Sequence, residues 1–363
     1  LTVQNAVKPH FTYLFLIISC APIFLLIQLY TPFPGIAIPF SPCYTILYTT
    51  LTHVFCAGGT EVSMKQHKLL LIVNPAAGRT KSRAPLFDAL SRFSEAGYLL
   101  SIHNPSSQGD ATRIAANRGG DVDLVVCAGG DGTLNETITG LMRAEADCPI
   151  GYIPCGSTND FAATLKLSMD PVQAAKDIML GKPEEYDLGR WGERYFSYIA
   201  SFGAFTRVSY STPQNLKNTL GHLAYVLSGI TELPQIRSIP MVLELDGERV
   251  EGKYIFGAVS NSTSVAGVFT LRPELVDLQD GKFEVILVRL PRDMNELAAC
   301  ISAIQSGTYD CAAITFRSVS SLTVRQDPSL VWTLDGERAE GAEEIHIENL
   351  YRAIRLVRRQ EEV

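Results

Sequence analysis

"DVDLVVCAGGDGTLNETITGLMRA", residues 121–144, decides how the chain is to be read. Its first half is a short apolar run that ends on glycines, and its second half places apolar residues at helical spacing. A buried strand that turns directly into a helix is the repeating unit of a parallel sheet covered by helices on both faces. At such a turn Gly129, Gly130 and Gly132 let backbone N–H groups approach an anion with no Cβ in the way. Thr133 stands at the helix start, where the dipole and unpaired N–H groups favour negative charge. Asp131 is the odd residue there, because an acid beside a phosphate repels it. It makes sense as an acceptor for a ribose hydroxyl or as a holder of Mg²⁺.

The same alternation runs outward on either side. "KLLLIVNP" and "YLLSIHN" are strand-like, "APLFDALSRFSEAG" and "GDATRIAANRGG" have helical spacing, and "CPIGYIP" is another buried strand before the helical "STNDFAATL" and "DPVQAAKDIMLG". Two more glycine turns fall at strand ends. "NPAAGR" brings Asn74, Pro75, Gly78 and Arg79, and "PCGSTNDFA" brings Ser157 and Thr158, either of which could cap the next helix. Neither a G-x-x-x-x-G-K-[ST] loop nor a G-x-G-x-x-G fingerprint is present. Any single turn of this kind is ordinary loop chemistry; three at successive strand ends point to a phosphate-bearing ligand at the carboxyl edge of the sheet.

Beyond about Asp187 the texture changes to short β-branched and aromatic runs parted by turn residues, including "MVLELDG", "KYIFGAVSN", "KFEVILVRL", "LVWTLDG", "EEIHIEN" and "AIRLVRR". The fold class expected is therefore α/β, a parallel-sheet nucleotide-binding domain plus an antiparallel β-sandwich domain. The expected division is a leader over 1–63, an α/β domain over 64–187 and a β-rich domain over 188–363, whose last strands return to the first domain. The chain has 363 residues and a net charge of −7, which argues against nucleic acid as a partner. Its eight cysteines form no C-x-x-C pair and suit a reducing compartment.

From Pro9 to Thr60 there is no Asp, Glu, Lys or Arg, and residues 11–30 are apolar for about the thickness of a bilayer. A membrane anchor, a signal sequence and a mis-set start with Met64 as the first residue are the three readings. The last is preferred, because Met64 leads directly into a strand. A protein that is cytoplasmic and peripheral at the membrane follows, with an anchor only if the leader is genuine.

"NPAAG", "GGDGTLNE" and "GSTNDFA", in that order and spacing, resemble the diacylglycerol kinase catalytic-domain family, as do "NTLGHLAYVLSGI", "LRPELVDLQDGKFEV" and the late "LDGE". The resemblance covers nearly everything from Met64 onward. It implies a lipid kinase that moves the γ-phosphoryl group of ATP to a lipid alcohol at a membrane surface, with diacylglycerol as acceptor and a homodimer left open. The ATP site it implies runs from Asn74 to Gly78 and from Gly129 to Asn135, with Ser157. A Mg²⁺ ion would be held by Asp277, Asp280 and the carbonyl of Lys282. "SNSTSVAGV", residues 260–268, departs from the family in lacking paired glycines. The alternatives are an NAD kinase-like enzyme acting on a soluble substrate and a nucleotide-binding membrane regulator without turnover.

"LDGER" occurs twice, at 245–249 and 334–338. Asp-Gly between strand-like runs is a hairpin signal, so both copies are expected to turn. The resemblance implies that the second copy carries the base, Glu337, with Asp335 supplying the like charge that raises its proton affinity. Asp246 and Glu248 are then a turn alone.

Overall fold

In the computed structural model, the residues described are 14–20, 23–29, 67–74, 83–203, 238–265 and 269–360. Residues Leu1–Met64 and Lys65–Val363 are separate units. In the first, Leu14–Cys20 and Ile23–Leu29 pair as antiparallel strands, so the apolar stretch expected to suit a span contains strands there. Met64 and the helical "NTLGHLAYVLSGI" lie outside the described residues. Among the described residues no helix is long and apolar enough to cross a membrane.

The second unit begins with alternating strands and helices. β1 (Lys68–Val73), β2 (Leu99–His103), β3 (Leu124–Gly129) and β4 (Ile150–Pro154) are parallel, in the order β2-β1-β3-β4. Every residue of β3 and β4 is buried, as expected of strands covered on both faces. Alternate side chains of β1 divide between the two faces. Leu69 and Leu71 pack with Ala89 and Phe93 of α1 (Arg83–Glu95), while Leu70 and Ile72 meet Ile114 of α2 (Asp110–Arg118) and Leu134 and Ile138 of α3 (Asp131–Arg143). α2 and α3 cross closely because Gly140 has no side chain; a Cβ there would lie 2.3 Å from the Thr112 carbonyl oxygen. α4 (Asp160–Thr164) follows the third glycine turn. α5 (Pro171–Leu180) starts on an Asp170 carboxylate that accepts from Gln173 N, with Pro171 next.

The remaining strands of the same sheet are β5 (Lys182–Trp191), β6 (Arg194–Phe196), β7 (Ile199–Gly203), β8 (Ile239–Leu245), β9 (Glu248–Ser260), β10 (Phe283–Arg289), β11 (Ile314–Val319), β12 (Ser321–Arg325), β13 (Trp332–Leu334), β14 (Glu337–Ala339) and β15 (Glu344–Arg358). Apart from one pairing they are antiparallel, and α6 (Met294–Ser306) connects β10 to β11. An aromatic core holds them, with Phe202 against Trp332 at 4.7 Å between ring centres and Phe196 stacked on Phe283 at 5.5 Å.

The exception is β15. "EEIHIEN" and "AIRLVRR" are expected as two strands but form one, bent at a bulge between Leu350 and Ile354 where Arg352 has φ of 51°. Its first half pairs with β12, and Leu356 then lies parallel beside Ile150 of β4. β15 therefore makes one continuous sheet of the parallel and antiparallel parts. That continuity puts the turn between β13 and β14 near the carboxyl ends of the parallel strands.

Candidate active site

The glycine turns open on a cleft of about 1400 Å³. Asn74, Gly130, Gly132, Thr133, Gly156 and Ser157 line it, as do the apolar Ile239, Pro240, Leu330 and Val331 with the polar Ser238, Asp327 and Ser329 beside them. The turns after β3 and β4 pack backbone on backbone: a Cβ on Gly156 would sit 2.6 Å from Gly130 Cα. A side chain on Gly129 would collide with Thr133 at 2.7 Å. Asn74 donates its side-chain amide to Thr133 Oγ1 at 3.0 Å, which ties the first turn to the second. Pro75, Gly78 and Arg79 lie outside the described residues.

Asp131 differs from the expectation that it faces ribose or a cation. It is the buried first residue of α3, and it turns away from the cleft between two glycines that line it. Its carboxylate accepts from Thr158 Oγ1 (3.2 Å), Asp160 N (3.1 Å) and Phe161 N (3.4 Å). It thus caps α4 from a neighbouring element. Neither Ser157 nor Thr158 is the N-cap, which is Asn159 at φ 51°. The Asn159 side chain closes the turn on Gly156 N and O. Burial raises the proton affinity of Asp131, and burial together with Asp131 pushes Asp160 up to about 6. Asp131→Ala is expected to raise KM for ATP and lower the melting temperature together, because the start of α4, beside the Gly156 turn, loses the acceptor of Thr158, Asp160 and Phe161. A raised KM at unchanged melting temperature would instead assign the carboxylate to the nucleotide.

The two "LDGER" copies fold alike and face different surroundings. Asp246 and Asp335 have φ of 45° and 48°, followed by glycines at 90° and 84°, the geometry of a tight hairpin turn. Each aspartate accepts from a neighbouring segment. Asp246 takes Ser320 N and Ser321 N, both at 2.9 Å, on an exposed edge. Asp335 is buried and takes Ser197 N (2.5 Å), Tyr198 N and Ile199 N (both 3.0 Å), and Asn135 Nδ2 (2.8 Å). Glu248 then pairs with Arg317 on the surface. Glu337 enters the cleft: its Oε1 lies 3.0 Å from where a Cβ on Gly132 would stand, and its Oε2 accepts from Gln108 Nε2 at 3.2 Å. Burial raises the proton affinity of Glu337, the Gln108 amide lowers it, and the Glu136 carboxylate raises it again. The like charge comes from Glu136 rather than from Asp335, whose oxygens are committed to four donors. Sequence reasoning gave no role to Gln108 or Glu136, because nothing local marks a contact between residues 229 apart.

Asp277, Asp280 and Lys282 form an exposed turn before β10. Asp277 Oδ1 accepts from Gln279 N and Asp280 Oδ1 from Lys282 N, both at 2.9 Å, while the Lys282 carbonyl accepts from Asn349 Nδ2 at 2.9 Å. No group of three or more His, Cys, Asp or Glu among the described residues is arranged for a metal. The turn still offers hard oxygens: the second oxygen of each carboxylate, the Lys282 carbonyl, and Asn349 Oδ1, which is buried and takes no hydrogen bond among the described residues. Oxygens of these kinds are the ligands that Mg²⁺ takes. A residue the sequence did not single out, Asp187, anchors the turn from below. Its buried carboxylate accepts from Gly281 N at 2.6 Å and Arg352 N at 2.7 Å, joining β5, the turn and the β15 bulge.

Residues 68–191 match the diacylglycerol kinase catalytic domain, and residues 199–358 match the YegS C-terminal NAD kinase beta sandwich-like domain. A diacylglycerol kinase of Bacillus subtilis (strain 168) is 32% identical over 289 residues, which is 79% of this chain and 95% of the relative. One from Staphylococcus aureus (strain MRSA252) is 32% identical over 270 residues, 74% of this chain and 85% of the relative. A crystal structure of a diacylglycerol kinase from Bacillus anthracis str. Sterne superposes with a TM-score of 0.61 at 23% identity, covering 81% of this chain and 97% of that one.

Proposed function

Because this chain belongs to the diacylglycerol kinase catalytic-domain family, we propose that its cleft transfers the γ-phosphoryl group of ATP to a lipid hydroxyl, that of diacylglycerol. One observation carries the site assignment: a partly buried carboxylate, Glu337, stands over the second glycine turn and shares its cleft with several apolar side chains. The glycine turns and the start of α3 offer backbone N–H groups to the phosphates. Ile239, Pro240, Leu330 and Val331 would receive the acyl part of the acceptor. Glu337 takes the proton of the lipid hydroxyl as its oxygen bonds to the γ-phosphorus and the bond to the β–γ bridging oxygen breaks, leaving ADP. Burial raises the proton affinity of Glu337, so it is protonated and idle at pH values where an exposed glutamate is already charged. The rate therefore falls as pH falls, from a higher pH than a solvated carboxylate would give.

An acceptor test separates this from the NAD kinase-like reading. Labelled ATP is offered with diacylglycerol in mixed micelles, or with NAD, at matched concentrations. Label in the lipid alone is the expected result; label in NAD alone would overturn the assignment.

Mg²⁺ would be held at Asp277, Asp280 and the Lys282 carbonyl, where it would add fixed positive charge to a turn between β strands. Asp280→Ala is expected to lose the rise in melting temperature that Mg²⁺ gives the wild type. Equal responses of the two proteins would make the turn structural without metal. The acceptor resides in bilayers, so the protein would work peripherally at a membrane surface.

A further inference from the structure

We infer that Gln108 is a positioning residue for the Glu337 carboxylate, holding one of its oxygens so that the other faces the acceptor hydroxyl. The inference rests on Glu337 as the base. Gln108 belongs to the α/β part and Glu337 to the β13–β14 hairpin, so the 3.2 Å bond spans the cleft. The loop that presents Gln108 is itself braced. Asp110 Oδ2 accepts from Ser106 N and Ser106 Oγ, both at 2.9 Å, and Glu136 accepts from Gly109 N at 2.8 Å and Ala111 N at 3.1 Å. A donor on a fixed loop leaves the carboxylate with one orientation and removes the search that an unrestrained glutamate would make.

The oxygens divide the work. Oε2 is held by Gln108, and Oε1 lies over Gly132 of the phosphate turn, where a reacting hydroxyl and the γ-phosphorus meet in the proposed reaction. Three other influences act on this carboxylate: burial, the Glu136 carboxylate on α3 and the Arg194 guanidinium on β6. Gln108, an uncharged side chain, favours the ionised form by donating to it. One contact thus holds the carboxylate in place and lowers the proton affinity that burial and Glu136 raise.

Two substitutions with opposite electrostatic signs test this. Gln108 is exposed, so neither should alter folding, and equal melting temperatures check that. Gln108→Leu is expected to lower kcat about tenfold with KM for ATP unchanged, and to move the acidic limb of the pH–rate profile to higher pH. Gln108→Lys places an ammonium beside the carboxylate and is expected to move the same limb to lower pH. Limbs that stay in place, or that move in the same direction, would overturn the inference. Glu337→Gln is assayed alongside. If it stays active, the base assignment itself fails; if it is inactive while the Gln108 limbs do not move, only the positioning role fails.

Discussion

Glu337→Gln is expected to lower kcat by a factor on the order of 10²–10⁴ while leaving ATP affinity nearly unchanged, whereas Glu248→Gln keeps wild-type activity. The two residues follow identical Asp-Gly turns, so the contrast isolates surroundings from local sequence. Glu337 lines the cleft against Gly132. Glu248 forms an exposed ion pair with Arg317, of the kind worth no more than about 1 kcal/mol. The amide of Gln keeps the size and one acceptor of Glu but cannot take the hydroxyl proton. Steady-state kinetics and ATP titration of both variants decide the matter. Equal losses would mean that the second copy has no special chemistry.

Asp335→Ala should cause the largest loss of stability among the residues discussed. Its carboxylate is fully enclosed, and burial pushes it up to about 6 against the pull of four donors. Removing it leaves three consecutive backbone N–H groups, from Ser197 to Ile199, facing an apolar methyl, together with one N–H of the Asn135 amide, whose other N–H keeps the Tyr195 carbonyl. Stranded donors of this kind together cost about 3 kcal/mol or more. For a protein of this size that lowers the melting temperature by roughly 6–12 °C. Asp246→Ala, at the exposed copy, should lose much less, because water can replace its partners. Thermal unfolding of the two variants side by side provides the check, and similar shifts would refute the distinction.

The parallel half of the fold was legible because its strands are continuous apolar runs buried on both faces and its helices carry a clear period. The glycine turns were legible for the same local reason, since each follows a strand end. What local sequence does not encode is which polar group accepts from which backbone. Asp131 reads locally as a ligand for the nucleotide, yet its carboxylate accepts from three donors of the Thr158–Phe161 segment. Asp335 looked like an electrostatic neighbour of Glu337, yet it clasps residues more than a hundred positions away. β15 read as two strands because a bulge interrupts its alternation, and only pairing with both β5 and β4 keeps it whole. Gln108, Glu136 and Asp187 went unassigned for the same reason: each acts through a partner remote in sequence.

In the proposed reaction the phosphoryl group passes directly between two substrates in one cleft, and Glu337→Gln removes a base and a nucleophile alike. A carboxylate that attacked the γ-phosphorus would form an acyl phosphate and pass the group on in a second displacement. ATP made chiral at the γ-phosphorus with oxygen isotopes distinguishes the two. With diacylglycerol as acceptor, one in-line displacement inverts the configuration at phosphorus in the lipid product, and inversion is the predicted result. Retention would show two displacements, and would contradict Glu337 as a base acting on the lipid hydroxyl.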